Sequence, residues 1–190
     1  MTLCRAFQTL PEYVRLSLHI CGSGVHNLLA GEKVINEIVA VMAKRGGRVQ
    51  LNFNQTEKPV DLNLLKVILN RYPEMQVITQ HNEENASLWE ALTGHPNHAV
   101  LFDASGGRGI LEKQWPTPLP GVACGYAGGL GPNNIRQELS KISTNIQDGN
   151  FWVDMESSLR IIDEEGFDKL DIFKCEACLV RVAESIGSYK

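Results

Sequence analysis

Arg48-Val49-Gln50-Leu51-Asn52-Phe53-Asn54 alternates apolar and polar residues. Val49, Leu51 and Phe53 share one parity and Gln50, Asn52 and Asn54 the other, which predicts a strand with two unlike faces. A helical pattern over Glu32–Lys44 precedes it, with Val34, Ile35, Ile38, Val41 and Met42 at helical spacing, and Gly46-Gly47 stops that helix. The same unit recurs along the chain. Strands are predicted at Val14–Ile20, Arg48–Phe53, Gln76–Thr79, Ala99–Asp103, Val122–Ala127 and Phe151–Met155. Further helices are predicted at Asp61–Asn70, Asn85–Leu92, Pro132–Ile142 and Asp168–Ser185. Strand–helix alternation at about 30 residues per unit is the signature of parallel βα architecture. No internal repeat, linker or low-complexity stretch interrupts it, so one domain spanning 1–190 is expected.

Six such units fit an open doubly wound sheet or a barrel. A sheet covered by helices on both faces needs strands apolar on both sides. Here one parity turns polar near the C-terminal strand ends, at Ser17, His19 and Cys21, at Gln50, Asn52 and Asn54, at Asp103, and at Asp154 and Glu156. One face then meets helices and the other meets water at its upper end. That pattern predicts an α/β fold of the TIM-barrel-like parallel (βα) type, incomplete at about six units, with a site at its C-terminal mouth.

Composition narrows the function classes. The chain has 190 residues, 43% hydrophobic and 21% charged, enough to bury a core. A net charge of −4 argues against a protein that holds nucleic acid by neutralising phosphates. No apolar run approaches the roughly 20 residues that span a bilayer, and Met1 to Leu10 carry no apolar block of the secretory kind. Five cysteines without such a signal predict reduced thiols and a cytoplasmic location.

The chemistry concentrates late in the chain. Val100-Leu-Phe-Asp-Ala-Ser-Gly-Gly-Arg-Gly109 ends a strand in an acid and runs straight into a glycine-rich loop. A carboxylate there can act as a general acid or base, or simply cap a turn, and Arg108 can clamp an anionic group. Tyr126-Ala-Gly-Gly-Leu-Gly-Pro-Asn-Asn-Ile135 leads through glycines into a helix N-terminus, and Phe151-Trp-Val-Asp-Met-Glu-Ser-Ser-Leu-Arg160 ends the last strand in small polar residues. Loops after the final two strands of a (βα) barrel frequently hold a phosphate.

These three segments, in order, resemble phosphoribosylanthranilate isomerase, over about residues 98–185. The matching motifs are Asp103 with Gly106-Gly107-Arg108-Gly109, then Gly128-Gly129-Leu130-Gly131-Pro132-Asn133-Asn134, then Val153-Asp154-Met155-Glu156-Ser157-Ser158-Leu159-Arg160. The resemblance implies a general acid at Asp103 and a substrate phosphate around Gly128, Gly129, Ser157 and Ser158. The general base depends on which of two registers the first strands take. His19-Ile20-Cys21-Gly22 looks like the family's first-strand motif, which would make Cys21 the base with His19 beside it. Taking Arg48–Phe53 as the family's fourth strand instead leaves the first two units absent and the base unassigned. The early-loop arginine has no counterpart, and Arg160 stands where the family's last motif closes on an acid. These departures point to a relative with different ligand chemistry.

The expected activity is isomerase-like proton transfer on a small phosphorylated metabolite, with no cofactor. Asp103, Cys21 and His19 are its candidate catalytic residues, and Arg108, Asn52, His81, Asp154 and Glu156 its candidate substrate contacts. The alternatives are a catalytically silent phosphate-binding barrel and a metal-dependent hydrolase or lyase. For the last, His19 and His81 lack tight ligand spacing, so no metal site is assigned. Cys175-x-x-Cys178 reads as helix core, His95 and His98 flank Pro96 and read as solvated, and Lys44-Arg45 reads as a helix-end pair needing no partner. A sheet starting at the family's third strand would leave two unpaired edges. A homodimer or other self-association, or a truncated start of a longer protein, is therefore expected, with 1–13 supplying at most a helix or cap.

Overall fold

Six parallel strands alternate with helices: β1 (Ser17–Cys21), α1 (Ser23–Leu29), α2 (Lys33–Lys44), β2 (Arg48–Asn52), α3 (Leu62–Arg71), β3 (Gln76–His81), α4 (Leu88–Ala91), β4 (His98–Phe102), β5 (Ala123–Ala127), α5 (Ile135–Asn145) and β6 (Trp152–Asp154). A hairpin of β7 (Arg160–Ile162) and β8 (Asp168–Leu170) follows, then α6 (Ile172–Gly187). The computed structural model describes residues 5, 7, 9–11, 13–146 and 149–187, so much of the expected cap over 1–13 lies outside the described residues. The strands lie in the order β1-β2-β3-β4-β5-β6. Sheet order therefore equals chain order, and the reversal that defines a doubly wound sheet is missing. The fold is α/β. It divides into two compact units, residues 1–101 with 121–123 and residues 102–120 with 124–190.

In the first unit, parallel pairing sets Leu18 opposite Val49 and Ile20 opposite Leu51, with Val49 opposite Val77. Those apolar residues share one face, and the connecting helices pack their apolar residues onto it. Val25, Leu28, Val39, Met42, Leu65 and Leu69 bury against it. Helix α2 starts where Glu32 accepts from the N–H groups of Val34 and Ile35 (3.2 and 3.1 Å). It stops at Gly46, whose φ of +58° suits glycine, with Gly46 N–H donating to Ala43 O and Gly47 N–H to Met42 O, both at 3.0 Å. Arg45 departs from its reading as unpartnered. Its Nη1 donates to the carbonyls of Phe7 and Leu10 and its Nη2 to that of Pro11 (2.8 Å), which pins the preceding segment.

The polar parity of the sheet is less wet than expected. Gln50 is buried, donating from Nε2 to Asn52 Oδ1 at 3.1 Å. Gln80 is also buried. Helix α4 is shorter than the predicted Asn85–Leu92 because Asn85 serves as a strut. Fully buried, it donates from Nδ2 to Phe53 O (2.8 Å) and accepts from Gln55 N–H at Oδ1 (2.9 Å). Asn85→Ala strands both groups and should destabilise the chain by about 2 kcal/mol, read from urea unfolding midpoints.

The second unit departs further from expectation. The predicted helix from Asp168 begins only at Ile172, because Asp171 rather than Asp168 caps it, accepting from the N–H groups of Phe173 and Lys174 (3.0 and 3.2 Å). Residues 160–170 instead fold back as the antiparallel hairpin. Asp163 accepts from Glu165 and Phe167 N–H across its turn, and Gly166 takes φ +84°. Helix α5 starts at Ile135 and not at Pro132, since Asn134 spends its side chain on the preceding loop. Trp115 is buried and anchors the long loop after β4, donating from Nε1 to the buried Glu138 of α5 at 2.8 Å.

Candidate functional site

Strand β4 delivers Asp103 to a buried position at the start of a loop built on glycines at positive φ: Gly106 (+58°), Gly107 (+85°) and Gly109 (+66°). Both carboxylate oxygens are engaged by that loop. Oδ1 accepts from Ser105 Oγ and Oδ2 from Gly107 N–H, each at 2.8 Å. Arg108 lies against the same turn, its Nε donating to Ser105 O at 2.7 Å. Asp103 thus shapes the loop whatever else it does. Ser105, buried beside it, was not singled out by sequence reasoning, although the Asp-x-Ser-x-Gly spacing is the signal for a carboxylate-organised turn.

Two more strand ends meet this loop. A Cβ added to Gly129 (φ +63°) would sit 2.5 Å from Leu111 N, and one on Gly128 (φ +114°) would sit 2.8 Å from Ile110 O. A Cβ on Gly109 would come 2.8 Å from Ser157 Oγ, and one on Gly131 would come 2.6 Å from Ser158 Cβ. The loops after β4 and β5 therefore pack backbone to backbone, where only glycine fits, and the loop after β6 meets them through the side chains of Ser157 and Ser158. Ser158 Oγ donates to Leu130 O, while Ser157 is exposed. Asn134 braces the middle loop, accepting from Gly131 N–H and donating to Gly129 O, both at 2.8 Å. Among the described residues, the N–H groups of Gly128 and Gly129 make no hydrogen bond. Behind the site, Tyr126 stacks on Phe102 with ring centroids 5.3 Å apart, and burial pushes its pKa up to about 12.

Asp154 ends β6, paired with Ala127, and Glu156 follows it in the same loop. Arg160, where the resembled motif closes on an acid, follows Leu159 of the same segment. It belongs to β7, where its Nε reaches both oxygens of Asp168 at 2.9 Å.

The remaining candidates lie in the first unit. Cys21 and Asn52 are register partners at the ends of β1 and β2, with Gly22 N–H donating to Asn52 O at 2.8 Å. His19 pairs with Gln50, which pairs with Ile78. His81 stands three residues beyond Ile78, so strand parity turns it to the opposite face from His19. Burial lowers the His81 pKa. Among the described residues no group of three or more His, Cys, Asp or Glu side chains is arranged to hold a metal ion. Cys178 is buried in α6 with its thiol pKa raised by burial, in keeping with a core role. No described helix is long and apolar enough to cross a membrane.

Fold and site together define an α/β chain of six parallel strands with strand-end glycine loops. Compared with family models, curated proteins and solved structures, the chain matches none.

Proposed function

We propose that the second unit binds a small phosphorylated molecule on the loops after β4, β5 and β6, as the ligand site of an incomplete (βα) barrel. The observation that carries this reading is the convergence of Gly109, Gly128–Gly131 and Ser157–Ser158, three loops that follow consecutive strands of one parallel sheet. The Gly128 and Gly129 N–H groups and the exposed Ser157 hydroxyl supply donors of the kind a phosphate needs, and Arg108 supplies the charge. Phosphorus NMR titration with inorganic phosphate tests it. Line broadening by the wild type should fall at least about tenfold in Ser157→Ala and in Arg108→Ala, each removing a charge-assisted hydrogen bond from an exposed position. An unbroadened line with the wild type sinks the reading.

The isomerase-like step would use Asp103 to move a proton beside a carbonyl or imine carbon of the bound molecule. One observation favours the silent-binder alternative, namely that both Asp103 oxygens are already acceptors within their own loop. Asp103→Asn separates the two. An asparagine can still accept from Gly107 N–H, and its amide can donate to Ser105 Oγ, since a hydroxyl serves in either direction. The loop and phosphate binding should therefore persist. Solvent-deuterium exchange into a sugar phosphate should drop by at least about a hundredfold if Asp103 transfers the proton. Exchange absent from the wild type, with phosphate binding intact, would establish the binder.

A further inference from the structure

We propose that the outward stripe of α6, with the adjoining β7–β8 hairpin, is the docking face for a second copy of this chain. Helix α6 turns Cys178 into its unit but leaves Phe173, Leu179 and Val180 exposed by 82%, 70% and 51%. The hairpin beside it exposes Ile162, Phe167 and Leu170. Asp171 N–H donates to Leu159 O, and Lys174 Nζ donates to Arg160 O, so the base of the hairpin and the first turn of α6 are tied together. Singly exposed apolar residues are ordinary, but so many within one short segment mark a surface that another surface covers. A two-stranded hairpin is also marginal alone in water and gains from a partner.

The charges select the partner. Phe173 and Val180 line a groove of about 490 Å³ whose other walls carry Arg136, Arg181, Glu176 and Glu184. Arg136 pairs with Glu184, and Arg181 Nη1 donates to the carbonyl of Ala177 at 3.3 Å. A partner of one sign would leave half of these charges opposed. A two-fold copy presents the same apolar residues and both signs, so glutamates of one chain meet arginines of the other. This proposal stands apart from the phosphate reading, since none of these residues belongs to the strand-end loops.

Sedimentation equilibrium of the chain should show a reversible dimer. Phe173→Asp changes an exposed side chain, so the far-ultraviolet circular dichroism should stay unchanged while dimerisation weakens at least about 30-fold, as for an aromatic anchor. Glu176→Arg should also weaken it, and adding Arg181→Glu should restore it. A wild type that stays monomeric across the accessible concentrations overturns the proposal, and points to another segment or a different protein as the cover. A dimer whose dissociation constant ignores Phe173→Asp overturns it equally, since the contact then lies elsewhere.

Discussion

Gly129→Ala is expected to destabilise the chain by about 3 kcal/mol, against about 1 kcal/mol for Gly106→Ala. Both glycines have positive φ, +63° and +58°, where an L side chain meets its own backbone. That penalty is common to both and costs about 1–2 kcal/mol. The difference lies in what a Cβ would meet. At Gly106 there is open space within 4 Å, while at Gly129 the new atom would lie 2.5 Å from Leu111 N and 2.8 Å from Leu111 Cβ. The contact is with backbone, so it cannot be relieved by turning a side chain, and the 109–111 segment must shift. Forcing extra volume into a packed contact adds about 1–3 kcal/mol. Urea unfolding of the two variants checks this, provided the m-values agree. Equal losses would mean that the loops after β4 and β5 do not press together, and the argument for a converged site would go with them.

That pair of glycines shows what a sequence discloses of such a site. Gly106–Gly109 and Gly128–Gly131 were recognisable as strand-end loops because glycine is the residue a tight or crowded backbone requires. What they crowd against was not recognisable. The segment at Ile110 and Leu111 carries no mark of the contact, since any residue with a backbone N–H and C=O would serve. Asp103 was legible as a strand-end acid. Its engagement by Ser105 and Gly107 depends on a loop conformation that the spacing permits and does not enforce.

The same distinction explains the fold. The six strands were placed within a few residues because alternation and β-branched runs are local signals. Their order in one sheet, β1 to β6 in sequence, is a matter of tertiary pairing and carries no local mark. Residues 168–170, the second strand of the hairpin, read as the start of a helix because Asp168, Leu170, Ile172 and Phe173 carry a plausible cap and helical apolar spacing. The competing turn signal, Asp163-Glu-Glu-Gly166, was present, and the structure uses it. Helix α1 runs for seven residues and has no side-chain cap, so nothing local announced it. Gln50 reads as part of a wet face and is buried. Polarity alone does not tell solvent from a satisfied interior partner, and Gln50 has one in Asn52.

His98 is the sharpest case of a reading reversed by packing, and it carries the second large prediction. Beside Pro96 it looked like a solvated loop residue. It instead opens β4, buried, with Nε2 at 2.9 Å from Thr79 Oγ1. Burial, helped by the nearby His95, lowers its pKa to about 4. In the unfolded chain the imidazole titrates near 6.5. Between those values the unfolded state holds a proton that the folded state refuses, so stability must fall as pH falls. The loss starts near pH 6.5 and is complete below about pH 4, and a shift of this size corresponds to at most about 3 kcal/mol. Carboxylates titrate in the same window, so the wild-type curve alone does not isolate the histidine. The difference between wild type and His98→Gln does. Glutamine keeps a polar group directed at Thr79 and cannot take up the proton. The stability advantage of the wild type over that variant at pH 7, measured by urea unfolding, should shrink by about 2–3 kcal/mol by pH 4. A difference that stays flat across the range would mean that His98 takes up its proton in the folded state and that its ring is reached by water.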